Sequence, residues 1–401
     1  MSQNKIIGIL TTSEDYKSVI KLNSTIYKKL ANKFGKIYII NLSNLLFINQ
    51  KEKGNKSLIL NSNIKIFKPK NICELKSFCK NKKLIAFNGL GKGFNTFRIH
   101  YALSKIDMVQ ILLMNIGYLS NEIIIYTNNL DNFTSSLYFK LNRKISRYLF
   151  RIATLFNIFP KIDYYFDASY PIINNLNNSL IKKIEKKFKF LKISYFKKAK
   201  LINSRAYDDL YKFKKNYNKY IVFVDSYFDH PDRVLREGNI SKKVIIDYYK
   251  KLSLFLNKLN KLYKKKVVIC IHPKNTNPLF KKYLSKFSIV KHQTNIMIKN
   301  SHIVIFHESS AALDAVLLKK NIINLQSKLL GNYLSKRSSL YSHELGVFTY
   351  NLDKDESLVK KYFDENFKNS KKNYSRYINE YLNPDGKQPG FVKIINIIKE
   401  I

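Results

Sequence analysis

Hydrophobic positions along the chain fall into short continuous runs separated by longer stretches of helical period. Lys5-Ile-Ile-Gly-Ile-Leu10 is the first run, and its continuity and β-branching predict a strand buried on both faces. From about Tyr16 to Phe34, apolar residues at Ile20, Leu22, Ile26, Leu30 and Phe34 keep a mostly helical spacing and predict a helix. Lys36–Ile40, Ile64–Phe67, Leu84–Phe87 and Glu122–Tyr126 predict further strands. A Lys- and Tyr-rich stretch over 211–220 then interrupts the pattern, which restarts more clearly. Strands are predicted at Tyr220–Asp225, Lys266–Ile271, Phe287–Val290, His302–Phe306 and Asn321–Leu325, with helices from Ser241 to about Tyr263 and from Ser309 to Lys319. Asn383-Pro-Asp-Gly386 and Pro389-Gly390 mark a turn before a last helix, Phe391–Ile401. Strands alternating with helices indicate β/α units and parallel sheets. The expected fold class is therefore α/β, with two Rossmann-like domains over 1–200 and 201–401 facing a cleft, and the last helix packing back on the first domain. No short-period repeat is present, which excludes a solenoid.

Composition narrows the classes. A chain of 401 residues is long enough for two domains, and 45% hydrophobic with 14% aromatic residues excludes a collagenous or wholly disordered protein. Three cysteines, Cys73, Cys79 and Cys270, exclude a disulfide scaffold and fit a reducing compartment. There is no Cys-x-x-Cys pair and the seven histidines are scattered, so neither a metal nor a cofactor is expected. The apolar start is too short for a signal peptide, and no window approaches the ~20 uncharged residues of a membrane span. A cytoplasmic protein is expected. Lys and Arg number 72 against 28 Asp and Glu, a formal charge of +44 that attracts polyanions. An A/T-rich genome also gives such a Lys-, Asn- and Ile-rich chain, so charge alone does not choose the partner.

Ligands of open α/β sheets bind beyond the carboxyl ends of the strands. The second half is polar there: Asp225-Ser226 follows one strand, with Asp229, His230 and Asp232 close behind. His272-Pro273-Lys274-Asn275 follows the next, and His307-Glu308-Ser309-Ser310 a third. Pro273 ends its strand and presents His272 at the sheet edge beside Lys274, where an imidazole donates to a phosphate oxygen or a leaving group. The other reading is a turn histidine satisfied by backbone. Ser309 or Ser310 is expected at the N-cap of the following helix, where free N–H groups and the helix dipole favour an anion; ordinary capping explains the same residues. Asp225 reads either as a general base or ligand of a sugar hydroxyl, or as a turn former.

In the first half, Asn88-Gly-Leu-Gly-Lys-Gly93 lies between a strand and an expected helix, Phe94–Leu103. Gly89 and Gly91 would let a ligand approach the backbone, although the run matches neither the dinucleotide nor the P-loop signature. Tyr138–Phe159 mixes Lys140, Arg143, Lys144, Arg147 and Arg151 with aromatic and aliphatic residues. It reads as a helix for an anionic membrane surface, on the inner face of the cell membrane, or as a packed helix with a solvated basic face.

Two Rossmann-like halves with the polar strand ends in the second resemble a GT-B glycosyltransferase, whose C-terminal domain binds the nucleotide-sugar. More narrowly, His272-Pro273 followed by Ser309-Ser310 is similar to the His-Pro and Ser-Ser motifs of bacterial sialyltransferases, polysialyltransferases and related Kdo transferases. The block Val222–Asp232 with these two segments also resembles proteins of bacterial surface-polysaccharide clusters. The resemblance covers about 220–330 by motif and the first half by architecture. It implies an acceptor domain over 1–200 and a nucleotide-sugar domain over 201–401. The implied reaction moves a nonulosonic acid such as sialic acid, or Kdo, from a CMP-sugar to a cell-surface glycan or lipid-linked acceptor, with no specific nucleic acid as partner. Asp225 and His272 are then the expected catalytic residues, and His272, Pro273, Lys274, His307, Ser309, Ser310, Gly89 and Gly91 the substrate-binding set. The acidic motif ending in glycine that supplies the base in those families is missing, since Tyr126–Asp131 and Asp208-Asp209-Leu210 do not match it. Two other classes fit the same residues: a hydrolase or epimerase of nucleotide-sugars, and a non-catalytic protein that binds polyanions.

Overall fold

A parallel strand buried on both faces needs apolar side chains at every position, and the first run of the sequence meets that need. In the computed structural model Lys5–Thr11 forms β1, with Ile6, Ile7, Ile9 and Leu10 all buried. The structure describes residues 5–13, 15–16, 19–20, 23–46, 63–114, 137–187, 194, 196–210, 217–228, 233–234, 238, 240–354, 359–386 and 388–401. They form two units: one from 1–117, 136–209 and 383–401, the other from 210–382. The strand expected at Glu122–Tyr126 lies outside the described residues.

The first unit holds a parallel seven-stranded sheet in the order β3-β2-β1-β4-β5-β6-β7. Its other strands are β2 Ile37–Asn41, β3 Ile64–Phe67, β4 Lys83–Asn88, β5 Met108–Met114, β6 Ile162–Asp167 and β7 Phe196–Leu201. Ile7 sits opposite Ile37 on one side and Ile85 on the other. Gly8 breaks the apolar run of β1 because a Cβ there would lie 2.6 Å from Ile40 Cδ1. β7 carries no continuous run: Lys197 and Lys198 are exposed, the charged pattern of an edge strand. The helix expected from Tyr16 is described as Ser24–Phe34, burying Ile26, Tyr27, Leu30 and Ala31. Residues 383–401 belong to this unit. Asp208 accepts hydrogen bonds from Gly390 N (2.7 Å) and Phe391 N (3.1 Å), satisfying the first amides of the last helix, Gly390–Glu400.

The second unit holds a parallel six-stranded sheet in the order β10-β9-β8-β11-β12-β13. These strands are β8 Tyr220–Val224, β9 Val267–Ile271, β10 Ser288–Lys291, β11 Ser301–Phe306, β12 Asn321–Gln326 and β13 Phe348–Asn351. Helix Lys242–Tyr263 covers the sheet with Tyr248, Tyr249, Leu252, Phe255 and Leu256, and Ser241 caps it by accepting from Val244 N. From β8 the chain moves outward to β9 and β10, then returns to place β11 on the other flank. That reversal is the topological switch point, the place where open α/β sheets take their ligands. Among the described residues, no helix is long and apolar enough to cross a membrane.

Candidate functional site

β8 is bordered by β9 on one side and β11 on the other, so the residues after these three strands share one edge. The two consecutive residues that follow β8 organise it. Asp225, buried, accepts from Tyr227 N at 3.0 Å through Oδ1, and from His272 N at 3.0 Å and Asn275 Nδ2 at 2.7 Å through Oδ2. Ser226 turns the other way: its hydroxyl donates to the Glu308 carbonyl at 2.7 Å and accepts from Glu308 N at 3.3 Å. The His-Pro turn and the start of the Ser-Ser segment are thus fastened to the two neighbouring residues that leave one strand. At the usual spacing between strands, β9 and β11 lie about 10 Å apart. His272 is half-buried, accepts from Lys274 N at 3.3 Å through Nδ1, and stacks on Tyr227 with ring centroids 5.7 Å apart. That contact leaves Nε2 as the proton-bearing nitrogen of the neutral ring. Tyr227 holds this place with φ +55°, and Pro273 and Lys274 are exposed. Asp229, His230 and Asp232, expected to crowd Asp225, lie outside the described residues.

The Ser-Ser segment does not cap a helix as expected. The helix is shorter, Ala312–Leu317, and its N-cap is Ala311, with no side-chain cap. Ser309 Oγ accepts from Ala311 N at 3.2 Å, and the Ser309 and Ser310 carbonyls accept from Ala312 and Leu313. The serines therefore form a turn one step ahead of the helix, because a hydroxyl that bonds two residues along favours a turn over the cap geometry. Ser310 is exposed on it and Ser309 half-buried. His307, expected at the substrate, is placed in the core instead. It is 2% exposed, Nδ1 meets the Leu325 carbonyl at 2.8 Å, and Nε2 meets the Tyr248 hydroxyl. Burial pushes its pKa down to about 4, so the ring is neutral.

Gly89 and Gly91 stand at the matching edge of the first unit, after β4. Gly89 N donates to the Leu10 carbonyl at 3.1 Å, and a Cβ on Gly89 would lie 2.8 Å from that oxygen. This glycine is required by the close approach of β1. The Gly91 carbonyl accepts from Thr96 Oγ1 at 2.9 Å and lies 3.1 Å from His100 Nε2. His100 is buried, which pushes its pKa down to about 4. The loop is thus tied from inside, while Gly91 itself is exposed.

No family model matches the sequence, and no curated protein matches it. Among solved structures, a histidine variant of the wall teichoic acid polymerase TagF is similar over 100% of this chain and 89% of its own, with TM-score 0.50 and 12% identity. A second histidine variant of TagF gives TM-score 0.50 at 13% identity over 100% and 90%. The chain has a GT-B-type fold. A UDP-N-acetylglucosamine 2-epimerase from Neisseria meningitidis, bound to UDP-GlcNAc, is also similar over 99% and 100% of the two chains. Its TM-score of 0.46 at 14% identity is too loose to carry an argument.

Within the second Rossmann-like unit of this GT-B-type fold, several polar residues at the edge had no motif to announce them. Glu308 is ion-paired with Arg337, a residue 29 positions on in helix Gly331–Leu345. Arg337 Nη1 donates to the Tyr333 hydroxyl at 2.8 Å, and the Glu308 charge holds the guanidinium well above its ordinary pKa against the opposing effect of burial. Beneath them, Asn324 Nδ2 and Ser338 Oγ both donate to the His307 carbonyl, at 2.7 and 2.8 Å. The loop after β11 is therefore gripped from β8, β12 and a helix. Its one sequence signal was the pair of polar residues Asn324 and Gln326 in the second half of β12. Chemically the edge offers Lys274, the His272 imidazole and the exposed Ser310 hydroxyl as donors to an anion, with Asp225 engaged in holding the turn. Among the described residues no cluster of three or more His, Cys, Asp or Glu is placed to hold a metal ion.

Proposed function

We propose that the chain is a glycosyltransferase that binds a nucleotide-activated sugar at the carboxyl edge of β8, β9 and β11. The sugar passes to a glycan or lipid-linked acceptor of the cell surface. The observation that carries this reading is the pair of bonds from adjacent residues: Asp225 to the His272-Pro273 turn and Ser226 to the loop that leads into Ser309-Ser310. These bonds support the reading because both segments follow strands that flank the switch point, and α/β sheets take their ligands there. The fold shared with TagF, a polymerase, is compatible with transfer chemistry. The donor in this proposal is a CMP-activated nonulosonic acid, such as sialic acid, or Kdo.

The step is a displacement at the anomeric carbon. An acceptor oxygen forms the new bond to that carbon as the bond from carbon to the phosphate oxygen breaks. The hydroxyl proton leaves to a base, and the electron pair departs with the nucleotide phosphate. His272 through its Nε2–H, Lys274 and Ser310 stabilise the charge that grows on the phosphate. Asp225 serves as a positioning residue: it accepts from the His272 amide and so fixes the turn that carries the imidazole. No cofactor enters the step.

Thermal shift against CMP, UDP and GDP, alone and as nucleotide-sugars, tests the donor site. A cytidine nucleotide at a hundredfold excess over Kd is expected to stabilise by about 2.7 kcal/mol. His272→Ala and Ser310→Ala should each reduce that gain. Silence towards every nucleotide, or equal gains in both variants, removes the assignment. Non-selective stabilisation that collapses with salt would instead mark a polyanion-binding protein. Product analysis with water and with acceptor separates transfer from hydrolysis.

A further inference from the structure

Helix Leu137–Leu155 presents two apolar faces, and the structure shows what covers one of them. Ser146, Phe150 and Ala153 are buried. Phe150 packs edge-on against Phe97 at 4.6 Å and His100 at 4.8 Å, and Phe159 joins the same cluster. At about 100° per residue, Ile145, Tyr148, Leu149, Ile152, Leu155 and Phe156 fall on the opposite side, in an arc of roughly 120°. All six are exposed, Tyr148 by 62% and Phe156 by 75%. A soluble helix ordinarily turns charge outward there. This one turns out a second set of large apolar side chains.

Charge borders the arc. Arg147 and Arg151, both exposed, share one flank between the buried and the outward face. Lys92 of the glycine-rich loop belongs to the same basic patch: partial desolvation, then the positive charges of Arg151 and Arg147, lower its pKa. An outward apolar stripe edged by arginines is the layout of a helix that lies in the plane of a membrane interface, rings and aliphatic chains down, guanidiniums at the headgroups. A second copy of the chain fits the face poorly, because each copy carries a formal charge of +44 and would bring Arg147 and Arg151 towards another cation.

We propose that the outer face of Ile145–Phe156 docks the protein on an anionic lipid bilayer, with Arg147 and Arg151 meeting the headgroups. This inference does not depend on the donor site, so either can fail alone.

The chain contains no tryptophan, so Phe156→Trp introduces a single fluorophore at the most exposed apolar position of the arc. With vesicles of phosphatidylcholine containing phosphatidylglycerol, its emission is expected to shift to the blue and to be quenched by brominated acyl chains. The protein itself should float with these vesicles and not with phosphatidylcholine alone. Ile152→Asp with Phe156→Asp lowers the partition coefficient about thirtyfold or more, by withdrawing two large apolar side chains from the interface. Both positions are exposed, so unchanged circular dichroism accompanies the loss. Arg147→Gln with Arg151→Gln lowers binding to the anionic vesicle about tenfold or more, as the loss of two cations at the headgroups requires. The proposal is overturned by emission that ignores lipid, by binding that survives the aspartate pair, or by anionic-vesicle binding that the glutamine pair leaves unchanged. A blue shift that tracks protein concentration without lipid also overturns it, in favour of self-association.

Discussion

Removing the Asp225 carboxylate tests whether one side chain organises the edge of the second unit. Asp225 holds three donors at 2.7–3.0 Å: two backbone amides, of Tyr227 and His272, and the Asn275 side chain. Each hydrogen bond to a charged acceptor is worth about 1.5–3 kcal/mol, and a buried donor left without its partner costs a similar amount. Tyr227 and His272 are half-buried, so water partly replaces the lost bonds; Asn275 is buried, and it is not replaced. We expect Asp225→Ala to destabilise the second unit by about 3–5 kcal/mol. Asp225→Asn keeps the volume but turns an NH2 towards one of the three donors, and should cost about 2–3 kcal/mol. Asn275→Ala removes one bond and should cost less than either. Urea unfolding followed by circular dichroism gives the totals, fitted with one transition for each of the two units. Hydrogen exchange of the peptide spanning Val267–Asn277 locates the loss: the His272 amide should open far more often in Asp225→Ala. The same variant should lose the stabilisation by a cytidine nucleotide even where it remains folded. Stability within about 1 kcal/mol of the parent, together with unchanged exchange at His272, would refute the idea that this carboxylate sets the turn.

Two further predictions concern buried titrating groups of opposite sign. Asp208 is pushed up to about 7 by burial, against the lowering effect of the Gly390 and Phe391 amides. Its contribution is fully present below the unfolded carboxyl pKa and is lost as pH rises towards 7, on the order of 4 kcal/mol. The urea midpoint of the parent should therefore fall relative to that of Asp208→Asn between pH 4 and pH 7; parallel profiles would show that the carboxyl is not desolvated. His307, pushed down to about 4, acts in the other direction: its stability is present above the unfolded value near 6.5 and lost as pH falls through that window, about 3 kcal/mol. Carbon-13 titration of the ring should give a midpoint near 4, and a midpoint near 6.5 would place His307 in contact with water.

Much of the fold was legible in the sequence because strands buried on both faces are dominated by continuous apolar runs, and β1, β4, β8, β9 and β11 carry such runs. Which polar residues stand after them was legible too, since a proline or a polar cluster ends a strand where the backbone leaves the sheet. Four strands escaped: β7, rich in lysine, and β13, four residues long, lie at sheet edges and need no continuous run, while β5 and β6 lie inside the first sheet but are interrupted by the buried polar residues Gln110 and Asp167. What local pattern does not contain is neighbourhood. Strand order put β8 between β9 and β11, and only that order joins Asp225 to His272 across 47 positions and Ser226 to Glu308 across 82. The same strand-end logic suggested His307 and the serine cap, and there tertiary packing decided otherwise: Tyr248 and Leu325 close over the imidazole, and Ser309 spends its hydroxyl on a turn. Likewise, spacing announced an amphipathic helix near 138–159 without telling which apolar face the core would cover. The sequence by itself determined which residues form strands and which lie at their ends, because those are properties of neighbours along the chain. Tertiary structure alone decided which ends meet and which side chains water reaches, because both depend on residues far apart in sequence.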